Sequence, residues 1–501
     1  MSLRQFRQTI QAATQDATLP DGLIGEGMMI PGLHGDVALV YADYVASGRA
    51  LAQVEEYVSR HVLPFYANSH TEASWCGAYT TRLREDARSE IARLVGAGND
   101  DAVIFAGSGA TAGLNRLVTL LGIEQAANPV VLIGPYEHHS NILPWRESRA
   151  QVVEIPESAA GGPDLQALAQ ALKAHADSDL LIGSFSAASN VTGIVTDTDP
   201  VTRLLKAHGA LSVWDYAGGG PYLEIDMGSA GQARKDAVVV SPHKFIGGPG
   251  ASGVLIVNRA AVRAVSPSMP GGGTVAYVSP WRHEYLDDLV AREEAGTPNV
   301  IGDIRAALAF IVKDVVGTDE IARRDHHFND MALRGWADNP HLTLLGTDSP
   351  QRLPIFSFLV RDGTGARVHQ QLFTRMLSDI YGIQVRGGCA CAGPYGHQLL
   401  DIDQARSEAL YTRIVTEGQE VSKPGWVRLN FGYLMSDAKA QFIIDAVNEL
   451  SRDTERYAPL YQLDPGTGIY TRPDQTAAPA EPARNGQYHA YVTKVSKQLV
   501  D

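Results

Sequence analysis

Seven short apolar runs punctuate the middle of the chain: Ala102-Val-Ile-Phe, Val130-Val-Leu-Ile, Ala150-Gln-Val-Val-Glu-Ile, Leu180-Leu-Ile-Gly-Ser-Phe, Leu211-Ser-Val-Trp, Ala237-Val-Val-Val and Val254-Leu-Ile-Val. They are rich in β-branched residues and too short for buried helices, so they predict strands covered on both faces of a mainly parallel seven-stranded sheet. Between them, Asp164-Leu-Gln-Ala-Leu-Ala-Gln-Ala-Leu-Lys and Thr202-Arg-Leu-Leu-Lys-Ala-His carry helical spacing and predict crossover helices. The pattern therefore predicts an α/β large domain over residues 25–300, preceded by an N-terminal helical arm over 1–24. A long helix beginning at Ile301 leads into a smaller α+β domain over 301–457. Its strands are expected within Leu353–Val360 and Trp426–Phe431, and its last helix is expected over Asp437–Leu450. The polar, proline-rich residues 458–501 are expected to be extended or disordered.

Composition narrows the classes of function. A chain of 501 residues, 45% hydrophobic and 20% charged, can bury a large core and divide into about two domains. Its net charge of −14 argues against nucleic acid or an anionic membrane surface as the main partner. The N-terminal stretch lacks an apolar signal core, and no run reaches the ~18 apolar residues of a membrane span, so a cytoplasmic protein is expected. Three cysteines, Cys76, Cys389 and Cys391, do not suggest a disulfide framework and fit a reducing compartment. No metal is expected: His138 and His139 are adjacent, so their side chains diverge, and the lone Cys389-Ala-Cys391 lacks a second ligand pair. His326 and His327 lie in an amphipathic stretch and read as surface residues.

The chemistry is carried by three pieces at predicted strand ends. Lys244, in Ser241-Pro-His-Lys-Phe-Ile-Gly-Gly, follows an apolar strand into a Ser/His/Gly-rich loop, where a primary amine of suitable pKa can combine with the aldehyde of pyridoxal phosphate. Asp215 ends the strand Leu211-Ser-Val-Trp-Asp and suits the cofactor's pyridine nitrogen. Gly107-Ser-Gly-Ala-Thr is a tight turn opening an apolar-faced helix, which points N–H groups and a positive dipole end at an anion such as a phosphate. Singly, each piece is a surface lysine, a turn aspartate or a plain turn. Gly107, Gly109 and Ala112 also satisfy a dinucleotide-binding pattern, but no strand ends in an acidic residue about twenty positions later. Gly248, Gly250 and Gly253 match it formally and lead into a strand instead of a helix.

Five ordered motifs then resemble a known family: Glu137-His-His-Ser-Asn-Ile-Leu-Pro-Trp, Ser189-Asn-Val-Thr-Gly, Ser241-Pro-His-Lys, Ala295-Gly-Thr-Pro-Asn and Arg386-Gly-Gly-Cys-Ala-Cys-Ala-Gly-Pro. From about Tyr41 to Leu450 the chain resembles the class V, fold-type I pyridoxal phosphate enzymes, and among them the group II cysteine desulfurases and selenocysteine lyases. The resemblance implies that Lys244 binds the cofactor covalently, Asp215 faces the pyridine nitrogen and His138 stacks on the ring. It implies Ala110, Thr111, Ser241 and His243 as phosphate ligands. Asn190 would meet the cofactor hydroxyl or the substrate carboxylate. Thr297 would reach the phosphate of a neighbouring subunit, hence a homodimer with shared sites. Arg428 would grip the substrate carboxylate, the plainer reading being a structural ion pair.

In the same resemblance, Cys391 in Cys391-Ala-Gly-Pro is the nucleophile that takes sulfur from L-cysteine, leaving L-alanine and an enzyme persulfide for a sulfur-acceptor protein. Cys389 is a resolving or relay thiol, or inert. Two departures stand out. Gly218 replaces a glutamine expected near the cofactor hydroxyl, and Gly388-Cys-Ala-Cys replaces the His-His-Cys of many members. The alternative activity is that of a class V aminotransferase, epimerase or β-lyase acting on another amino acid. A scaffold without cofactor is disfavoured by the retention of Lys244, Asp215 and Arg428.

Overall fold

The computed structural model describes residues 2–473 apart from 70, 71, 229, 230, 347, 348 and 350. The seven apolar runs form one sheet: β1 Asp101–Gly107, β2 Pro129–Ile133, β3 Gln151–Glu154, β4 Leu180–Ser186, β5 Leu211–Asp215, β6 Ala237–Val240 and β7 Gly253–Asn258. Their order across the sheet is β1-β7-β6-β5-β4-β2-β3. All neighbours are parallel except that β7 runs against both β1 and β6. The expected mainly parallel α/β sheet is therefore present, with one reversed strand.

Alternation along each strand explains why the runs are apolar throughout. In β6, Ala237 and Val239 pack with Leu114, Leu117 and Leu120 of the helix Gly109–Leu120 on one face. Val238 and Val240 face the other way, into a core shared with the helices Trp75–Leu94 and Val300–Val316. Side chains that alternate between two covered faces all need to be apolar.

The helix Val300–Val316 is capped by the Asn299 side chain and ended by Gly317 at φ 86. It is buried along nearly its whole length and packs on Trp75–Leu94 and on the N-terminal helix Leu3–Gln15. It therefore belongs to the large domain, and the expected boundary at 300 falls after it. The small domain is built on an antiparallel sheet ordered Leu342–Leu344, Ile355–Arg361, Trp426–Asn430, Arg386–Gly388, with helices Gln370–Tyr381 and Asp437–Arg452 packed against it.

Two further boundaries move. Residues Met29–Pro31 and Asp36–Ala38 pair as a hairpin, and Val40–Tyr41 pairs in parallel with Ile383–Gln384, so this early segment joins the small domain. The tail is structured further than expected, because residues 462–471 form the hairpin Gln462–Asp464/Ile469–Thr471. It is tied down by Tyr461, whose hydroxyl donates to Asp379 Oδ2 at 3.2 Å, and by Arg472, whose Nη1 donates to the Gly32 carbonyl at 3.3 Å. The remainder of the tail, residues 474–501, lies outside the described residues. Among the described residues, no helix is long and apolar enough to cross a membrane.

The carboxyl ends of β4, β5 and β6 and the start of the helix after β1 open onto the same edge of the sheet. That is where open α/β sheets form their ligand crevices.

Candidate active site

A cavity of about 190 Å³ lies at this edge, lined among others by Thr111, His138, Asn190, Asp215, Ser241 and Lys244. A larger hollow of about 560 Å³, between residues 20–28 and Leu434–Lys439, is lined by apolar residues such as Leu23, Ile24 and Leu434 together with the ion-paired Glu26 and Lys439. The smaller cavity is the one with the chemistry.

Lys244 reaches it from the short turn Pro242–Lys244 that follows β6. Burial pulls its amine down to about 8, opposed by Asp215 and assisted by the positive charges of Arg428 and Arg386. A substantial neutral fraction near neutral pH makes the amine a nucleophile. Asp215 is the last residue of β5, 3% exposed, and its Oδ1 accepts the Ala217 N–H at 2.7 Å. Burial raises its pKa, against that hydrogen bond and the charge of Lys244.

The anion cradle is formed where β1 turns into the helix Gly109–Leu120. Gly109 sits at φ 61, and a Cβ there would stand 2.9 Å from Ser241 Oγ and 3.1 Å from His243 Cε1. Only a glycine permits that backbone and that approach. Ser108 supplies no side-chain cap, and Ser108, Gly109, Ala110 and Thr111 at the helix start line the cavity. Ala110 N–H donates to Ser241 Oγ at 2.9 Å, and Thr111 Oγ1 lies 2.7 Å from Ser140 Oγ. His243 is held neutral, its pKa lowered to about 4 by burial and by Lys244.

His138 accepts the Ser140 N–H on Nδ1 at 3.1 Å, so a neutral ring carries its proton on Nε2. Burial, followed by the charge of Lys244, lowers its pKa to about 3, which keeps the ring uncharged. The preceding residue, Glu137, is 2% exposed and accepts from Ser186 N–H at 2.9 Å, Ser186 Oγ at 2.6 Å and Asn141 Nδ2 at 2.5 Å. Burial lifts Glu137 to about 7 against these donors.

Asn190 donates from Nδ2 to the Ala390 carbonyl at 2.8 Å, while its Oδ1 is buried without a hydrogen-bond partner. Arg428, 3% exposed on the strand Trp426–Asn430, donates to the Asn190 carbonyl and to Asp43 Oδ1, each at 3.1 Å. Its Nε is likewise buried without a partner. The orphaned Asn190 Oδ1, on a residue lining the cavity with Lys244, Asp215 and a helix start, calls for a ligand carrying a complementary donor.

Cys389 and Cys391 lie in a turn closed by the Ala392 N–H donating to the Cys389 carbonyl at 3.1 Å. Its central residues, Ala390 at φ 53 and Cys391 at φ 56, are both left-handed, which is unusual without glycine. The turn is docked on the cavity wall through Asn190 and through His139, whose N–H donates to the Cys391 carbonyl at 2.8 Å. Cys391 is exposed and Cys389 half-buried.

The structure thus brings Lys244, Asp215, His138, Ala110, Thr111, Asn190, Ser241 and His243 to one cavity, with Arg428 and Cys391 beside it. It does not bring Thr297 there. That residue is exposed, in the turn before the helix Val300–Val316. Gly218 lines the cavity, where a Cβ would stand 3.2 Å from the Ala188 carbonyl. Sequence reasoning missed Asp43, Ser140 and Ser186. Asp43 sits in a stretch with no reactive pattern, and only the fold places it against Arg428. The other two are serines, too common to signal anything.

The family model for class-V aminotransferases matches residues 40–414. The chain belongs to that family. Among class-V relatives, a cysteine desulfurase of Enterobacter sp. (strain 638) is 30% identical over 365 residues, covering 71% of this chain and 85% of the relative. A probable cysteine desulfurase of Vibrio cholerae is 28% identical over 416 residues, 82% of this chain and 93% of the relative. The solved apo structure of a cysteine desulfurase from Thermococcus onnurineus NA1 matches with a TM-score of 0.69 at 23% identity, covering 82% of this chain and 94% of that one. The S-sulfonic acid form of a cysteine desulfurase from Escherichia coli gives 0.64 at 22% identity, over 82% and 94%. The α/β architecture is thus the fold-type I arrangement of class-V enzymes.

Proposed function

We propose that this protein is a pyridoxal phosphate-dependent cysteine desulfurase, taking sulfur from L-cysteine to give L-alanine and a persulfide on Cys391. One observation carries the reading: the turn bearing Cys391 is bonded to Asn190 and His139, which belong to or adjoin the wall of the cavity holding Lys244, Asp215 and His138. A thiol fixed there can meet a sulfur held above the lysine.

The residues suit the cofactor. The helix start with Ala110, Thr111, Ser241 and His243 would hold its phosphate, Asp215 its ring nitrogen, His138 its ring face and Lys244 its aldehyde. When bound, the cofactor supplies an electron sink for the substrate carbon. Arg428 receives the substrate carboxylate on its unpartnered side, and Asn190 Oδ1 accepts from the substrate or the cofactor. Lys244 takes the proton from the substrate Cα and returns one to the product. Cys391 thiolate attacks the substrate sulfur: the Cys391 S–S bond forms, the substrate C–S bond breaks with its electron pair left on the carbon side, and protonation yields alanine.

In this reading the enzyme is a homodimer in which the exposed Thr297 completes the partner's phosphate site. The persulfide passes to a sulfur-acceptor protein in a reducing cytoplasm, where free cysteines such as these persist. The test is the absorbance spectrum of the holoenzyme before and after L-cysteine, with alanine measured in the same tube. A shifted band with alanine released is expected, and Cys391→Ala should keep the band and release none. Undiminished alanine from Cys391→Ala would reject the assignment. A shift without alanine in the unmodified enzyme would favour an aminotransferase, epimerase or β-lyase.

A further inference from the structure

Glu294 follows the short helix Leu289–Glu293 and precedes Thr297 by three residues. Its side chain is 7% exposed and receives four donors. Oε1 accepts the Phe105 N–H at 2.7 Å and Arg88 Nη1 at 2.8 Å, and Oε2 accepts Arg88 Nη2 at 3.0 Å and Arg84 Nη2. Burial would raise its pKa, but Arg88 and Arg84 hold it below the ordinary carboxylate value, so the group is ionised near neutral pH.

Phe105 belongs to β1, which lies at the edge of the sheet beside β7. The outward backbone groups of an edge strand need partners from elsewhere. Glu294 supplies one to the Phe105 N–H, and Arg88 Nη1 donates to the Val103 carbonyl at 2.6 Å. Glu293, fully buried, makes a matching tie to the helix Gly109–Leu120: Arg116 Nη1 donates to its carbonyl at 2.6 Å and to its Oε2 at 3.3 Å. β1 and that helix are the two elements that meet at the anion cradle. Two consecutive glutamates therefore fasten the chain just ahead of Thr297 to the frame of its own subunit's cradle. On the far side of Thr297, Asn299 is fixed as the cap of Val300–Val316, accepting the Gly302 N–H at 3.3 Å. Thr297 itself is exposed, and the anchors on either side set where it stands.

We propose that Glu294 is a positioning residue for the phosphate site of the second subunit: by clamping its own chain to Phe105 and Arg88, it holds Thr297 where that site can receive it. The inference rests on the reading of Thr297 as a ligand shared across a homodimer. A carboxylate that only held its own sheet together would act within its own subunit, whereas one that aims Thr297 acts across the interface.

The experiment uses mixed dimers assembled from two differently tagged chains. One chain carries Lys244→Ala, so it cannot capture the aldehyde, and the other is unmodified. An absorbance titration with pyridoxal phosphate then reads the site of the unmodified chain alone. Adding Glu294→Gln to the Lys244→Ala chain should weaken binding at that site by about tenfold, the worth of one hydrogen bond to a charged group. Thr297→Ala in the same chain should do likewise, and the two together should cost no more than Thr297→Ala alone. Arg88→Lys, which keeps the charge and loses the planar fork, takes the place of Glu294→Gln if that chain assembles poorly. A loss with Thr297→Ala and none with Glu294→Gln or its substitute would overturn this inference and leave the shared site standing. No loss with Thr297→Ala would overturn both.

Discussion

His139 holds Cys391 by its main chain: the His139 N–H donates to the Cys391 carbonyl at 2.8 Å. Its ring acts on the same loop, with Nε2 accepting the Gly393 N–H at 3.0 Å. The neighbouring His138 faces the cavity, so two consecutive histidines divide the work of lining the site and fastening the thiol loop.

Removing the ring should loosen the loop and leave the cavity intact. His139→Ala is expected to lower alanine formation from cysteine by ~10- to 100-fold, because reacting atoms held an ångström astray lose that much. Its cofactor spectrum should match that of the unmodified enzyme. Paired measurements of spectrum and alanine decide this, and a change in both would place His139 in cofactor binding.

Lys244 has a pKa lowered to about 8 by burial, so its neutral amine grows as pH rises towards 8 and saturates above it. Capture of pyridoxal phosphate by the apoprotein, followed by absorbance, should therefore quicken by about tenfold per pH unit below 8 and flatten above. A rate still climbing towards 10.5 would mark an ordinary exposed lysine.

Asp215→Asn preserves the shape at the end of β5 and removes the charge. It should still bind the cofactor but lose about a hundredfold or more in turnover, since a neutral amide does not keep the ring nitrogen protonated. Rates under saturating cofactor separate this from weakened binding. Full activity in that variant would exclude the pairing.

Gly253 begins β7 directly behind the cradle, and a Cβ there would lie 2.2 Å from the Gly109 carbonyl oxygen. Gly253→Ala should push the turn out of place at about 1–3 kcal/mol, the usual cost of overpacking. The expected result is roughly a tenfold or greater loss of cofactor affinity in an absorbance titration.

The large sheet was legible because burial on two faces forces every position of a strand to be apolar, a local signal that survives in Val130-Val-Leu-Ile and Ala237-Val-Val-Val. Lys244, Asp215 and the Gly107–Thr111 turn could be placed for a related reason. Polar residues that end apolar strands in a parallel sheet emerge on one edge, so strand order alone assembles them.

Tertiary structure decided what joins residues far apart in the chain. The pairing of Val40–Tyr41 with Ile383–Gln384 moved an early segment into the small domain, and the buried Val300–Val316 helix went to the large one. The same closure set Asp43 between Arg428 and Arg386, and docked the Cys391 turn on His139. Hydrophobic period reports how a residue is buried by its own element. It does not report which distant strand, carboxylate or thiol the finished fold sets beside it, because that choice is made by packing and charge across the whole molecule.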